Sequence, residues 1–506
     1  MAVDVQAGIG RRAPLEMGAD EFRTAGHRLV ERIAGFLERL PADRVTRGEV
    51  PESVRGVVGR ERLPEAGTAA DRLLDEAAGL LFEHSLFNGH PRFWGFITSS
   101  AAPIGALADL LAAAVNPNVG GWLLSPAATE IERQTVRWIA QLVGYPDDCG
   151  GLLVSGGNVA NFVGFWTGRR VRTPWDVRVQ GFDAQARPVR VYASQETHTW
   201  IQKATDLSGM GTDAIRWIPT DSGLRMDTAA LRRRIETDRA AGDLPLLVVG
   251  TAGSVSTGAI DSLGEVGAIA HEHGLWFHVD GAYGAPAAAL PEAPSELKAL
   301  SGADSLAIDP HKWLYAPLEA GCVLVRDERA LHDTFSYHPP YYPDADESLE
   351  EPPTYYHEYG PQNSRGFRAL KVWLALRQAG RAGYVAMIRD DIALARRMFE
   401  LADADPEMEA VTHGLSVTTF RFVPRGLESG RADVEAWLDR LNRLLLDRLQ
   451  REGEAFVSNA VVGGRFLLRA CVVNFRTAPA DVDALMAVVR RLGREIDAAE
   501  RPAGLA

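Results

Sequence analysis

Apolar residues recur along this chain in two rhythms, and the change from one to the other divides it. Phe22, Leu29, Ile33, Phe36, Leu37 and Leu40 fall on one face of a helix, with Asp20 placed to cap its start and Pro41 to stop it. Residues 44–60 are mixed and irregular, and a second helical pattern runs over 73–86. So thin a region cannot close a core of its own, and it is expected to pack on something else, such as a second subunit.

From about residue 99, short apolar runs alternate with helical stretches. Ser125-Pro126 opens a helix through Ile131, Trp138 and Leu142, and strands are expected at 152–155, 189–193, 246–250, 275–280, 305–309 and 321–326. Such alternation predicts an α/β fold, a mostly parallel sheet with helices on both faces. In open sheets of this kind ligands sit at the carboxyl ends of the strands. Ser155, His198, Thr251, Asp280 and Lys312 fall there.

A helical stretch over 367–401 leads into a third region. There 415–422 alternates like a half-exposed strand, 434–452 is helical, and 466–474 is a further strand before a final helix. The expected organisation is an N-terminal helical segment (1–98), a large α/β domain (99–370) and a small C-terminal α+β domain (371–506). Residues 344–354 carry five carboxylates and two prolines and are expected to form a solvated loop.

Composition narrows the partners. With 506 residues and 46% hydrophobic content the chain can bury a large core, and 54 basic against 67 acidic residues leave a net charge of −13. That balance disfavours nucleic acid and anionic membranes and points to small solutes. Cys149, Cys322 and Cys471 lie far apart, without the spacing of a metal site or a disulfide framework, so they are expected to be reduced in the cytoplasm. Arg11 and Arg12 precede no apolar core, so no secretory signal is expected. The apolar stretch 101–115 is interrupted by Pro103, Gly105 and Asp109, so no membrane span is expected either.

The chemistry gathers around Asp309-Pro310-His311-Lys312-Trp313. A lysine is ordinarily a solvated surface charge. Set between apolar strands, Lys312 is expected to be desolvated, with a lowered pKa that makes it nucleophilic. Asp280 ends another apolar run and is followed by Gly281-Ala282-Tyr283-Gly284, whose glycines and alanine let a flat ring approach the backbone. A nucleophilic lysine and an aspartate at a strand end are the groups needed to hold pyridoxal phosphate. The first condenses with its aldehyde, and the second keeps its pyridine nitrogen protonated so that the ring accepts electrons. Gly156-Gly157-Asn158 follows a strand and opens a helix, where free N–H groups and the helix dipole attract phosphate. His198, just after a strand, is a candidate to stack on the ring.

Together these motifs resemble the group II pyridoxal-phosphate decarboxylases, and within them the aromatic-L-amino-acid decarboxylases. The resemblance rests on Pro310-His311-Lys312-Trp313 with His278-Val279-Asp280-Gly281-Ala282-Tyr283. It extends through Gly89-His90-Pro91-Arg92-Phe93, Ser125-Pro126-Ala127 and Ser364-Arg365-Gly366-Phe367, and so covers most of the chain. It implies the fold type I architecture with a seven-stranded sheet, and a homodimer with active sites at the subunit interface. Lys312 would be the Schiff-base lysine, Asp280 the pyridinium partner, His198 the stacking residue and Ala282 the small residue below the ring. Gly156, Gly157, Asn158 and His311 would hold the phosphate, with Thr251 and Asp309 close to the cofactor. Tyr341, with Tyr342 beside it, matches the loop tyrosine that protonates Cα. Phe96, Thr98, Ser99, Trp122 and Arg365 match positions near the substrate.

The implied activity is decarboxylation of an L-amino acid to its amine, with tyrosine, DOPA, tryptophan or phenylalanine as the leading substrates. The alternatives are aldehyde formation by coupled oxidative deamination, an acidic or aliphatic substrate, or, least supported, a non-catalytic scaffold. Two departures bear on the substrate. The chain reads Phe96-Ile97-Thr98-Ser99 where the aromatic branch has an aromatic followed by proline, and Gly120-Gly121 where it has a bulky aromatic. Loss of that aromatic is expected to enlarge the pocket.

Overall fold

The computed structural model describes residues 14–182, 187–339, 353–427 and 430–505. Seven strands form the larger sheet: β1 (Gly150–Val154), β2 (Val189–Ser194), β3 (Ile215–Ile218), β4 (Leu244–Thr251), β5 (Trp276–Asp280), β6 (Ser305–Ile308) and β7 (Gly321–Val325). Their spatial order is β1-β7-β6-β5-β4-β2-β3. The β3/β2, β2/β4, β4/β5 and β5/β6 pairs are parallel, and β7 alone runs antiparallel to its neighbours β1 and β6. The strand that sequence reasoning misses is β3, a four-residue edge strand in which Arg216 and Trp217 are not buried, so it carries no apolar run.

Alternate side chains of the strands sort into two cores. Leu152, Val154, Ala307, Val323 and Val325 pack with Val163 and Phe165 of the helix Gly157–Arg172. Leu153, Leu306, Ile308, Cys322 and Leu324 pack with Ile139 and Val266, from the helices Pro126–Val143 and Leu263–Glu272 on the opposite face. A strand with both neighbours' faces covered must be apolar at every position, which is why these runs are continuous in sequence.

Helix Gly157–Arg172 sits close on the sheet through two glycines. A Cβ at Gly164 would lie 2.7 Å from the His278 ring, and one at Gly168 would lie 2.6 Å from Trp276.

The second sheet, in order β10-β11-β9-β8, is antiparallel: β8 (Met408–Gly414), β9 (Val417–Phe422), β10 (Ser458–Val462) and β11 (Arg465–Cys471). The helices Ala432–Glu452 and Pro479–Glu500 pack on it around Phe420, Phe422, Leu441 and Leu492. Against expectation, β9 is buried along its whole length. Its polar residues are satisfied inside: Thr418 donates to the Ala395 carbonyl at 2.7 Å, and Arg421 bonds both Glu409 and Glu435. Period-2 polarity reads as exposure whenever cross-strand and helix partners for the polar side chains go unseen.

The helix Ala369–Ala404 packs on the helices Pro103–Val115 and Pro126–Val143 and on β8 and β9 of the second sheet, and is broken at Gly380, whose φ of 63° and ψ of 170° are not helical. Near the N-terminus the helices are Ala19–Arg39, Pro51–Val58 and Ala70–Glu83. The residue preceding the first is Gly18, which offers no side-chain cap, and Asp20 lies within the first turn. Among the described residues no helix is long and apolar enough to cross a membrane.

Gly164→Ala should lower unfolding free energy by about 1–3 kcal/mol, because the added methyl must displace a packed ring. Gly26→Ala, in open space on the first helix, should be neutral or stabilising. Paired denaturant melts check both.

Candidate active site

The site is built from loops that leave the carboxyl ends of β1, β2, β4, β5 and β6. After β1 the chain turns at Gly156, whose φ of 103° favours glycine, and enters helix Gly157–Arg172. The first amides of that helix have no intrahelical acceptor and open onto the cavity. His311 closes the other side of the turn, since a Cβ on Gly156 would meet its ring at 3.2 Å.

Lys312 sits in the turn after β6, with its backbone N–H bonded to the Asp309 carbonyl and its Nζ 2.8 Å from Asp309 Oδ2. Its electrostatics differ from expectation. Burial alone would depress the ammonium, but the carboxylates of Asp309 and Asp280 outweigh it and hold the pKa above that of an ordinary lysine. His311 is the reverse case: burial lowers its pKa, and its Nδ1 lies 2.7 Å from the Ala320 carbonyl.

A second layer holds this turn. Ser99 Oγ donates to the His311 carbonyl at 2.8 Å. The indole of Trp313 and the hydroxyl of Tyr315 both donate to Asp391 Oδ2, at 2.8 and 2.6 Å. Burial pushes the Asp391 carboxyl up to about 7, against the opposing pull of these donors.

Asp280, at the end of β5, accepts from the Trp200 indole at Oδ2 (2.7 Å) and from the Ala282 amide at Oδ1 (3.2 Å). Two residues earlier, His278 is fully buried between Ser305 Oγ (2.8 Å) and Asn161 Oδ1 (2.7 Å), and burial lowers its pKa to about 4. Asn161 in turn donates to the Gly157 carbonyl at 2.9 Å. This neutral chain ties β5 to the glycine turn. His198 stands at the mouth, where partial burial also pulls it below an ordinary imidazole.

These groups enclose a cavity of about 330 Å³. Gly156, Gly157, Asn158, His198, Thr251, Asp280, Ala282, Asp309, His311 and Lys312 all line it. Asn161, Glu196, Val255, Tyr283 and Ile97 line it as well, without having been singled out in the sequence. Trp200 was missed because an indole behind a strand end reads only as core. Two lining atoms, Thr251 Oγ1 and Asp309 Oδ1, are buried with no hydrogen-bond partner among the described residues. With the glycine turn at a helix start, the lysine and the carboxylate, they make a donor set that fits pyridoxal phosphate.

The expected substrate residues are placed differently. Arg365 does not line the cavity. It is buried against Glu132, with Nη1 3.3 Å from Glu132 Oε2, and it also donates to the carbonyls of Leu153 (2.6 Å) and Val119 (3.0 Å). These bonds tie β1 and the Val119 backbone to the helix Pro126–Val143. Of residues 96–99 only Ile97 reaches the cavity. Phe96 is 56% exposed, Ser99 is turned to the His311 carbonyl, and Thr98 is not among the lining residues. Trp122 bonds Glu130 on the surface at 2.9 Å. Tyr341 and Tyr342, and most of the acidic segment, lie outside the described residues. Nor do Gly120 and Gly121 leave open space: a Cβ on the first would meet the Asn363 carbonyl at 2.1 Å, and one on the second would meet the Tyr355 ring at 3.3 Å.

Residues 56–423 match the model of the pyridoxal-dependent decarboxylase conserved domain. A curated aromatic-L-amino-acid decarboxylase of Bacillus atrophaeus is 31% identical over 483 residues, covering 95% of this chain and 97% of the relative. The crystal structure of Oryza sativa TDC with PLP and tryptamine is similar with a TM-score of 0.87 and 29% identity, covering 96% of this chain and 100% of that one. That of Rhodiola rosea 4-hydroxyphenylacetaldehyde synthase has a TM-score of 0.83 and 26% identity, covering 95% and 99%.

Arg365→Met should cost about 3–5 kcal/mol of stability, since it strands the buried Glu132 carboxylate, while KM at a permissive temperature stays near wild type. Asp309→Asn removes the nearest carboxylate that keeps Lys312 protonated. Apoprotein of that variant should therefore capture pyridoxal phosphate faster than wild type at pH 7, with the gap closing as pH rises toward the wild-type lysine's pKa. Stopped-flow absorbance would follow it, and identical rates at every pH would contradict the electrostatic reading.

Proposed function

The chain belongs to the pyridoxal-dependent decarboxylase family, and from that premise we propose that it removes the carboxyl group of an aromatic L-amino acid to give the amine and carbon dioxide. It is a pyridoxal-phosphate-dependent amino-acid decarboxylase. The observation that carries the proposal is the convergence of Lys312, Asp280 and His198 on one cavity beside the Gly156–Gly157 turn. Bound there, the cofactor supplies a ring that accepts the electrons of the breaking bond to Cα.

The protein's own residues divide the remaining work. The amides at the start of helix Gly157–Arg172, together with His311, would hold the phosphate. Lys312 is kept within reach by Asp309, and Asp280 is held facing the cavity by Trp200 and Ala282. His198, whose partial burial favours the uncharged imidazole, can lie against a ring. Proton delivery to Cα is assigned to Tyr341 of the Tyr341-Tyr342 pair. Glu196 in the lining favours an aromatic over an acidic side chain, because a second carboxylate on the substrate's side chain would add a like charge to the cavity.

The reading includes a homodimer. Leu107, Leu110, Leu111, Leu123 and Leu124 are each more than half exposed, and the last two follow Trp122 directly in the chain. A second copy would bury that surface and could bring Phe96 and Trp122 to its partner's cavity, where the substrate role expected of them would be met. The three unpaired cysteines support a cytoplasmic location.

Purified holoenzyme given a panel of amino acids should release amine and carbon dioxide in equal amounts from aromatic substrates, and Lys312→Ala should abolish both. Tyr341→Phe should keep cofactor binding and divert product from amine to aldehyde. Aldehyde and peroxide formed one for one with carbon dioxide by the wild type would reject simple decarboxylation.

A further inference from the structure

Asp280 is the only carboxylate at the end of β5, and the reading above gives it one task, to face the pyridine nitrogen. A carboxylate on a single Cβ rotates about two bonds, so its aim has to be set by what it touches. Oδ1 accepts from the Ala282 amide at 3.2 Å, a long bond, whereas Oδ2 accepts from the Trp200 indole at 2.7 Å. Trp200 itself is fully buried and opens the helix Trp200–Leu207. Its ring meets Phe165 edge-on (centroids 6.4 Å apart, planes at 78°) and His278 edge-on (5.4 Å, 82°). The same residue's backbone N–H points to His198 Nδ1 at 3.3 Å. One residue therefore touches two of the groups expected to meet the cofactor ring, Asp280 and His198.

We propose that Trp200 is a positioning residue for the decarboxylation, its indole N–H locking the Asp280 carboxylate in the orientation that serves the pyridine nitrogen. The chemistry of the donor matters. An indole offers one N–H and no charge. An arginine or lysine in the same place would hold the carboxylate as firmly but neutralise it, weakening its attraction for a protonated ring nitrogen. Indole to carboxylate is a bond to an ionised acceptor in a dry setting, the stronger class of hydrogen bond. The inference rests on the decarboxylase reading of the site, since it assigns a helper to that reading's own aspartate.

The test uses holoenzyme loaded with pyridoxal phosphate labelled with ¹⁵N in the ring. In Trp200→Phe, which keeps an aromatic ring and loses the N–H, the ¹⁵N signal should move toward that of an unprotonated pyridine. kcat should fall about ten- to one-hundred-fold, the worth of one hydrogen bond to a charged group, with KM unchanged. Phe165→Leu loosens the same packing and leaves the N–H in place, so its ¹⁵N signal and kcat should match wild type. Should Trp200→Phe not fold, benzothienylalanine at position 200, with sulfur in place of the N–H, makes the same comparison. A wild-type ¹⁵N signal and kcat in the variant lacking the N–H would overturn the proposal, as would a Phe165→Leu protein that reproduces its shift. A wild-type protein whose own ring nitrogen is unprotonated, or that takes up no cofactor, would instead overturn the reading of Asp280 and the proposal with it.

Discussion

The parallel register of β4, β5 and β6 is the constraint on which the site depends. Thr251 pairs with Asp280, and Asp280 with Ala307, so these strands finish within a few residues of one another at one edge. Adjacent strands lie about 4.8 Å apart. Groups carried just beyond neighbouring ends therefore converge on a space the size of a small ring system, whatever the intervening helices do. The antiparallel β7 adds to this rather than breaking it. Its first residue, Gly321, arrives at the same edge so tightly against Gly156 that a Cβ would lie 2.5 Å from that backbone, and the glycine turn is backed by strand instead of loop.

Around that edge, negative charge is distributed with care. Asp280, Asp309 and Glu196 line the same cavity as one lysine. A buried ion pair is a poor source of stability, because desolvating both charges consumes most of the attraction. The Lys312–Asp309 contact is better understood as placement, with the carboxylate keeping a long, flexible amine inside the cavity. Asp280 is treated otherwise: among the described residues its donors, the Trp200 indole and the Ala282 amide, are neutral, so its charge stays available. The positive end of helix Gly157–Arg172 offsets the nearby Asp309, whose Oδ2 would lie 2.4 Å from a Cβ on Gly157.

Much of this was legible in the sequence, for identifiable reasons. Buried parallel strands leave continuous apolar runs, and β4, β5 and β6 were found with ends near those observed. Residues at such ends are easy to nominate, and each of the ten expected to meet the cofactor lines the cavity. What escaped depends on partners distant in sequence. Lys312 reads as desolvated, yet the carboxylates that raise its pKa act through the fold. Arg365 reads as a ligand for an anion, and its anion is Glu132, 233 residues away. Edge strands such as β3, and β10 with its alternating exposure, are too short or too mixed to stand out. Trp200 carries no local mark that separates a hydrogen-bonding indole from an ordinary core residue.

Gly120 and Gly121 show how far such a partner can reverse a reading. In sequence, two glycines in place of a bulky aromatic mean missing volume. In the structure the space is taken: the 355–357 segment lies on the glycines, with the His357 amide and its Nδ1 2.9 and 2.7 Å from the Gly120 carbonyl. The Tyr355 ring rests where a side chain on Gly121 would begin, and Asn363 backbone abuts Gly120. The glycines are therefore a condition for close approach rather than a cavity. An aromatic ring does stand at Gly121, delivered by a different part of the chain. Reading the glycines position by position cannot reveal this contact, because the segment that fills the space lies far away in the sequence.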